Sequence, residues 1–212
     1  MPRKPRHDPS RSTRPPHPAA YTLVELLTVI VIMGIFVGLV LTRFEPSMHD
    51  QLRGAAQVIT ADLAFARSLA VANNSQYKLT FDRTRHCFWL EHSGANPTLN
   101  NLPESPYRDP SDPSTKQTTS LQKLPSVTVQ LELEAVRKVG ASSQSDTTSV
   151  EFGPLGALNQ SEDCWIWLAI GRGDGRRYLS IELDAITGLS RIGELQVTGP
   201  PSITAPASTS GS

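Results

Sequence analysis

Cysteine is scarce in this sequence: 212 residues contain two, Cys87 and Cys164. Two thiols cannot build the multi-bridge framework that holds many small secreted domains together. A single disulfide between them and a pair of free buried thiols are both open on sequence grounds. Histidine is also sparse, at five. His7 and His17 lie close to the N-terminus. His49, His86 and His92 form no metal-ligand spacing with one another or with Cys87, so no metal is expected. Ser, His and Asp all occur, but no nucleophile elbow or triad context surrounds them. The segment Gly171-Arg172-Gly173-Asp174-Gly175-Arg176-Arg177 lacks the spacing and the lysine of a phosphate loop. It reads as a hairpin turn, with Arg172, Arg176 and Arg177 at a solvated tip. No catalytic residue and no cofactor is therefore expected. A dominant charge of one sign is missing too, since the formal net charge is zero. Hydrophobic residues make up 38%, and much of that share sits in one run. What remains supports a modest core with generous loops.

That run is the strongest feature present. Residues 21–42 form a membrane-length apolar stretch, Tyr21 to Thr42, with one acid, Glu25. As a helix of about 1.5 Å per residue it spans roughly 33 Å, enough for a bilayer core of about 30 Å. Residues 1–20 carry five basic side chains against Asp8, a net of +4, which leaves 15 basic against 19 acidic residues, or −4, in the rest. A basic stretch before an apolar one stays cytoplasmic, so the remainder is expected across the membrane. The mild acidity of that remainder argues against a nucleic-acid partner.

The order of these parts differs from a secretory signal peptide. The small residues Ala19 and Ala20 precede the apolar run, and Arg43-Phe44-Glu45-Pro46 after it is a poor cleavage site. A cut between Ala20 and Tyr21 removes the leader and keeps the helix. It also creates an α-amine on Tyr21, and Glu25 of an adjacent subunit is a candidate anion for it. The plain alternative is that Glu25 sits at headgroup level and is solvated. Gly34 and Gly38 make a Gly-x-x-x-Gly pair that allows close helix approach, although glycine is common in membrane helices anyway.

Beyond Pro46, apolar residues at Met48, Leu52, Ala55, Ile59, Leu63, Ala66 and Ala70 keep a helical spacing. One helix is expected from Tyr21 to about Asn73, ended by Asn73-Asn74. Strands are expected at 76–82, 87–91, 127–133, 149–152, 164–170, 178–183 and 190–192. Residues 93–126 hold six prolines and are expected to be a long irregular insertion. The pattern implies an α+β fold: a long N-terminal helix packed on a β-rich head of small antiparallel sheets.

The segment from Ala20 through Tyr21-Thr22-Leu23-Val24-Glu25-Leu26-Leu27 resembles the prepilin-type cleavage and methylation segment of type IV pilins and type II secretion pseudopilins. That family usually has Gly before the cut and Phe after it; here they are Ala20 and Tyr21. Three later segments resemble the H-type minor pseudopilins and related minor pilins: Ala66-Arg67-Ser68-Leu69-Ala70, Glu151-Phe152-Gly153-Pro154-Leu155-Gly156, and Asp184-Ala185-Ile186-Thr187-Gly188-Leu189-Ser190-Arg191. Residue by residue the ordinary reading also holds, with Arg67 capping a helix and the glycines making turns.

The resemblance implies a non-enzymatic inner-membrane subunit with its head in the periplasm. Its partners would be other pseudopilins and the prepilin peptidase and methyltransferase, with N-methylation at Tyr21. The implied layout is a leader at 1–20, a transmembrane half at 21–45, an amphipathic half at 46–75, a head at 76–197 and a disordered tail at 198–212. A type IV minor pilin serving DNA uptake or adhesion is the alternative.

Overall fold

A computed structural model describes residues 21–41, 47–103, 111–125, 127–141 and 143–202, with side chains omitted at 39–41. The described residues fall into two units, divided between Glu45 and Pro46. The first is the apolar helix α1 (Leu23–Leu41). Thr22 caps it: the Thr22 hydroxyl accepts from the Glu25 amide at 3.2 Å, and the Thr22 carbonyl accepts from the Leu26 amide at 3.2 Å. Thr-x-x-Glu at a helix start is the capping-box pattern. Every residue from Tyr21 to Gly38 is exposed, as expected of a helix whose partners are lipid or other helices.

The second unit begins with α2 (Met48–Ala72). Ser47 caps it, its hydroxyl accepting from the Asp50 amide at 3.2 Å and donating to Asp50 Oδ2 at 2.7 Å. Leu52, Ala55, Ile59, Leu63, Ala66 and Ala70 form its buried face, one side of a 3.6-residue period. By length and mean hydropathy alone α2 also passes for a membrane span. Its buried face and its charges at Asp50, Arg53, Asp62 and Arg67 mark it instead as the head's core helix. It ends at Asn73, whose amide bonds Leu69 O at 3.0 Å, and Asn74 follows in the left-handed region at φ 46°. Whether α1 and α2 are one helix, as expected, turns on residues 42–46, which lie outside the described residues.

Among the described residues nine strands follow: β1 (Tyr77–Asp82), β2 (Cys87–His92), β3 (Lys116–Ser120), β4 (Leu131–Val139), β5 (Gln144–Asp146), β6 (Ser149–Phe152), β7 (Asp163–Ile170), β8 (Arg177–Leu183) and β9 (Ser190–Gln196). They form a four-stranded sheet in the order β3-β2-β1-β6 and a five-stranded sheet in the order β5-β4-β7-β8-β9. All neighbouring strands in both sheets pair antiparallel. Alternation sorts the side chains: Tyr77, Leu79 and Phe81 face inward from β1, and Ile166, Leu168 and Ile170 from β7. With the inner face of α2 they make one core shared by both sheets. The α+β architecture of a helix on small antiparallel sheets is the one the sequence pattern implies.

Two expectations need correction. Residues 93–126 are not uniformly irregular, because β3 pairs with β2 from Cys87↔Ser120 to Glu91↔Lys116. Its Gln117 and Thr119 are buried polar residues, so no apolar alternation announced it. The strand expected at 127–133 begins only at Leu131. The reason is Gln51 on α2, whose Oε1 accepts from the amides of Thr128 (2.9 Å) and Val129 (3.2 Å), which removes those donors from any ladder. β4 then runs on to Val139, with a bulge between Leu133 and Ala135 that breaks the period-2 pattern. Of the expected tail, residues 198–202 lie beside the five-stranded sheet, as Gly199 and Pro201 show below, and residues 203–212 lie outside the described residues.

Candidate assembly site

The expected processing and assembly residues lie at the start of the chain. Ala20 is outside the described residues. Tyr21 stands just ahead of α1 and Glu25 lies in its first turn, both exposed. Gly34 and Gly38 have open space around them, with no atom within 4 Å of where a Cβ would stand. From Tyr21 to Gly38 the side chains are exposed.

In the head, the three segments singled out in the sequence converge on one side chain. Arg67 Nε donates to Gly156 O at 3.2 Å and to Thr187 O at 3.0 Å. One guanidinium on α2 thus holds the turn after β6 of the first sheet and the β8–β9 turn of the second. Both turns depend on glycine. Gly156 has φ +80° and Gly188 φ +64°, the left-handed region that disfavours a Cβ. A Cβ on Gly188 would lie 1.9 Å from Gly156 O, so the turns meet backbone to backbone. Asp184 shapes the second turn, its Oδ1 accepting from the Ile186 and Thr187 amides and the Thr187 hydroxyl. The hydrogen bonds from Thr187 hold its carboxyl below the usual range. Leu158 N donates to Ala185 O at 2.9 Å, a further tie between the turns. Arg67 is therefore a clasp between sheets and not a simple helix cap. Around it Val71, Leu155, Ile186 and Leu189 are exposed, Leu155 at 90% and Ile186 at 84%.

Cys87 lies on β2 in one sheet and Cys164 on β7 in the other, both buried and both free. Each thiol is absorbed into its own sheet. Burial raises both thiols, that of Cys164 to about 12, which keeps it protonated and unreactive.

Sequence reasoning missed several polar ties. His86 Nδ1 accepts from the Leu133 amide at 3.1 Å, linking the β1–β2 turn to β4. His92 joins Ser75 at 2.7 Å and Asn100 at 2.8 Å. Leu133 lies 47 residues from His86 and Ser75 lies 17 from His92, beyond the reach of a local signal. The three arginines of the Gly171–Arg177 turn are not a bare basic patch. Arg176 pairs with Glu132 at 2.7 Å and Glu134 at 2.6 Å, Arg172 donates to Gln130, and Arg177 donates to the carbonyls of Asp174 and Arg176. Among the described residues no group of three or more His, Cys, Asp or Glu side chains is placed to hold a metal.

Asp62 of α2 is mostly buried, accepts from Thr119 Oγ1 at 3.1 Å, and has its carboxyl raised by desolvation. It borders an apolar cavity of about 880 Å³ between α2 and β3. A raised folded value means that ionisation costs stability. The cost is absent below the ordinary aspartate range and fully present above the folded value. Asp62→Asn keeps an acceptor for Thr119. It is expected to raise the thermal midpoint at pH 7 by about 2–4 °C, the shift that about 1 kcal/mol makes in a domain of this size. The gain should vanish on titration below pH 3.8. An equal gain at acid and neutral pH counts against the ionisation argument.

Comparison with known proteins adds the following. No family model matches the chain, and no curated protein matches it. Among solved structures, the minor pseudopilin EpsH from the type 2 secretion system of Vibrio cholerae superposes with a TM-score of 0.46 at 11% identity. That match covers 68% of this chain and 96% of EpsH. The type IV minor pilin FimU of Pseudomonas aeruginosa superposes in two crystal forms, with TM-scores of 0.38 and 0.39 at 18% and 20% identity. Each covers 71% of this chain, and 98% and 93% of FimU. The chain is similar to pilin-like proteins. Scores this low carry no argument about function, which rests on the residues themselves.

Proposed function

We propose that this chain is a minor pseudopilin, a structural subunit of a type II secretion pseudopilus, placed near its tip and active in fibre initiation or cargo contact. It is a non-enzymatic protein anchored in the bacterial inner membrane by α1, with its head in the periplasm. The prepilin peptidase cuts between Ala20 and Tyr21, and Tyr21 is N-methylated. Other pseudopilins then pack along α1, with Gly34 and Gly38 permitting close approach.

One observation carries this reading. The apolar helix starts within two residues of the proposed cut, capped by Thr22, with Glu25 in its first turn. Cleavage after Ala20 leaves an α-amine at a helix N-terminus, where the macrodipole is already positive. In an apolar bundle that cation requires an anion, and Glu25 of a neighbouring subunit supplies it. The pairing fixes the axial stagger of adjacent helices. The exposed apolar residues around Arg67 fit a head that has neighbours. The alternative, a pilus subunit for DNA uptake, needs exposed cations. Of the three hairpin arginines, Arg176 is neutralised by Glu132 and Glu134, which weakens that alternative.

The test is mass spectrometry of the chain recovered from its native membrane. The expected N-terminus is Tyr21, heavier by one methyl group. An assembled, functional chain that retains Met1 overturns the reading.

A further inference from the structure

The centre of the five-stranded sheet is buried on both faces, although only one of them meets the core. Ile166, Leu168 and Ile170 on β7, and Leu179, Ile181 and Leu183 on β8, belong to the core. Their neighbours point the other way, because side chains alternate along a strand. Trp167, Ala169 and Ser180 are among those neighbours, and Ala135 pairs with Trp167 across from β4. None of these four belongs to the core, yet none is more than 3% exposed. Something covers the outer face.

Part of the cover is the chain's own end. After β9 the backbone returns across the sheet. Gly199 lies against the ring of Tyr178 on β8, so closely that a Cβ there would stand 3.1 Å from it. Further on, Arg137 Nη1 on β4 donates to Pro201 O. The order β4-β7-β8 means that a segment touching β8 and then β4 passes over β7 between them. The outer side chains of β7 there are Trp165 and Trp167, with ring centroids 6.3 Å apart. The anchors on either side are themselves held. Arg137 is bonded to Asp146 at 3.2 Å, and the Arg176 guanidinium lies 5.5 Å from the Tyr178 ring centroid. The indole N–H of Trp167 is buried beneath without a hydrogen-bond partner, so the face keeps an unused donor.

The covering sequence is Val197-Thr198-Gly199-Pro200-Pro201-Ser202. Two successive prolines favour the extended polyproline conformation. Aromatic-lined surfaces take such segments because little entropy is left to lose. We propose that the outer face of the five-stranded sheet is a binding site for an extended proline-containing peptide, with the chain's own Val197–Ser202 as its resident occupant. Glycine at position 199 lets the strap lie flat on Tyr178, and Arg137 holds its far end by a backbone carbonyl. The resident strap acts at the effective concentration of a short tether, which is millimolar. An identical segment supplied from outside enters only when the strap is away.

The test uses the full chain in detergent micelles, a variant ending at Gln196, and the synthetic hexapeptide Val-Thr-Gly-Pro-Pro-Ser. Removing the strap should shift tryptophan emission to the red by exposing Trp165 and Trp167. Added hexapeptide should reverse the shift saturably in the shortened chain. In the intact chain the peptide should act at least tenfold more weakly. No reversal in the shortened chain, or equal response in both chains, overturns the proposal. Gly199→Val in the full chain provides an independent arm should the shortened chain fail to fold. Its side chain drives into the Tyr178 ring, and the same red shift is expected. Unchanged emission in Gly199→Val also overturns the proposal.

Discussion

Replacing Gly188 by Ala is expected to cost the head about 3 kcal/mol or more, lowering its thermal midpoint by about 6–12 °C. Two penalties combine. At φ +64° a side chain is strained wherever it stands. Its Cβ would also sit 1.9 Å from Gly156 O, and the opposing atom is backbone and cannot swing aside. The β8–β9 turn must then lift from the turn after β6, and Arg67 loses its simultaneous hold on Gly156 and Thr187. Gly173→Ala separates the two causes. Gly173 also has positive φ, at 54°, but open space where a Cβ would go, so its cost should be only the strain, about 1 kcal/mol. Calorimetry of both variants decides the matter. Equal midpoints for Gly188→Ala and Gly173→Ala mean that the turns separate freely, and the clasp then contributes nothing.

What could be read in advance follows the range of each interaction. The C-terminal end of α2 was legible because its signal is local: Asn73-Asn74 close the helix. Strands β1, β6 and β7 were legible because their inner faces are apolar and alternate. β3 was not, because it presents Gln117 and Thr119 inward, and polar residues carry no alternation signal. β5 is a three-residue strand, too short to show a period. The false start of β4 at Val127 came from a real alternation, overridden by Gln51 from 77 residues away. For the candidate site, the segments at Arg67, Gly156 and Gly188 stood out singly. That they form one clasp depends on contacts spanning 89 and 120 residues, which only the folded chain displays.

Glu25→Ala is expected to abolish assembly while leaving the head intact. On the proposed reading, the Tyr21 amine enters an apolar bundle at the positive end of α1. Removing its anion leaves a buried charge unpaired, at a cost of several kcal/mol. Each 1.4 kcal/mol is tenfold in an association constant, so incorporation into fibres should fall by roughly a hundredfold or more. Glu25→Gln should fail almost as completely, because it preserves size and hydrogen bonding but not charge. That contrast matters, since the Thr22 cap uses the backbone amide of residue 25 and survives either change. Helix start and head stability should therefore be unaltered, and the thermal midpoint should not move. Fibre incorporation is measured by cross-linking in the membrane. Mass spectrometry of the same samples shows whether Tyr21 is still the N-terminus, which separates failed assembly from failed processing. If both variants are processed and assemble normally, Glu25 is a solvated headgroup-level acid, and the register of the fibre is set elsewhere on α1.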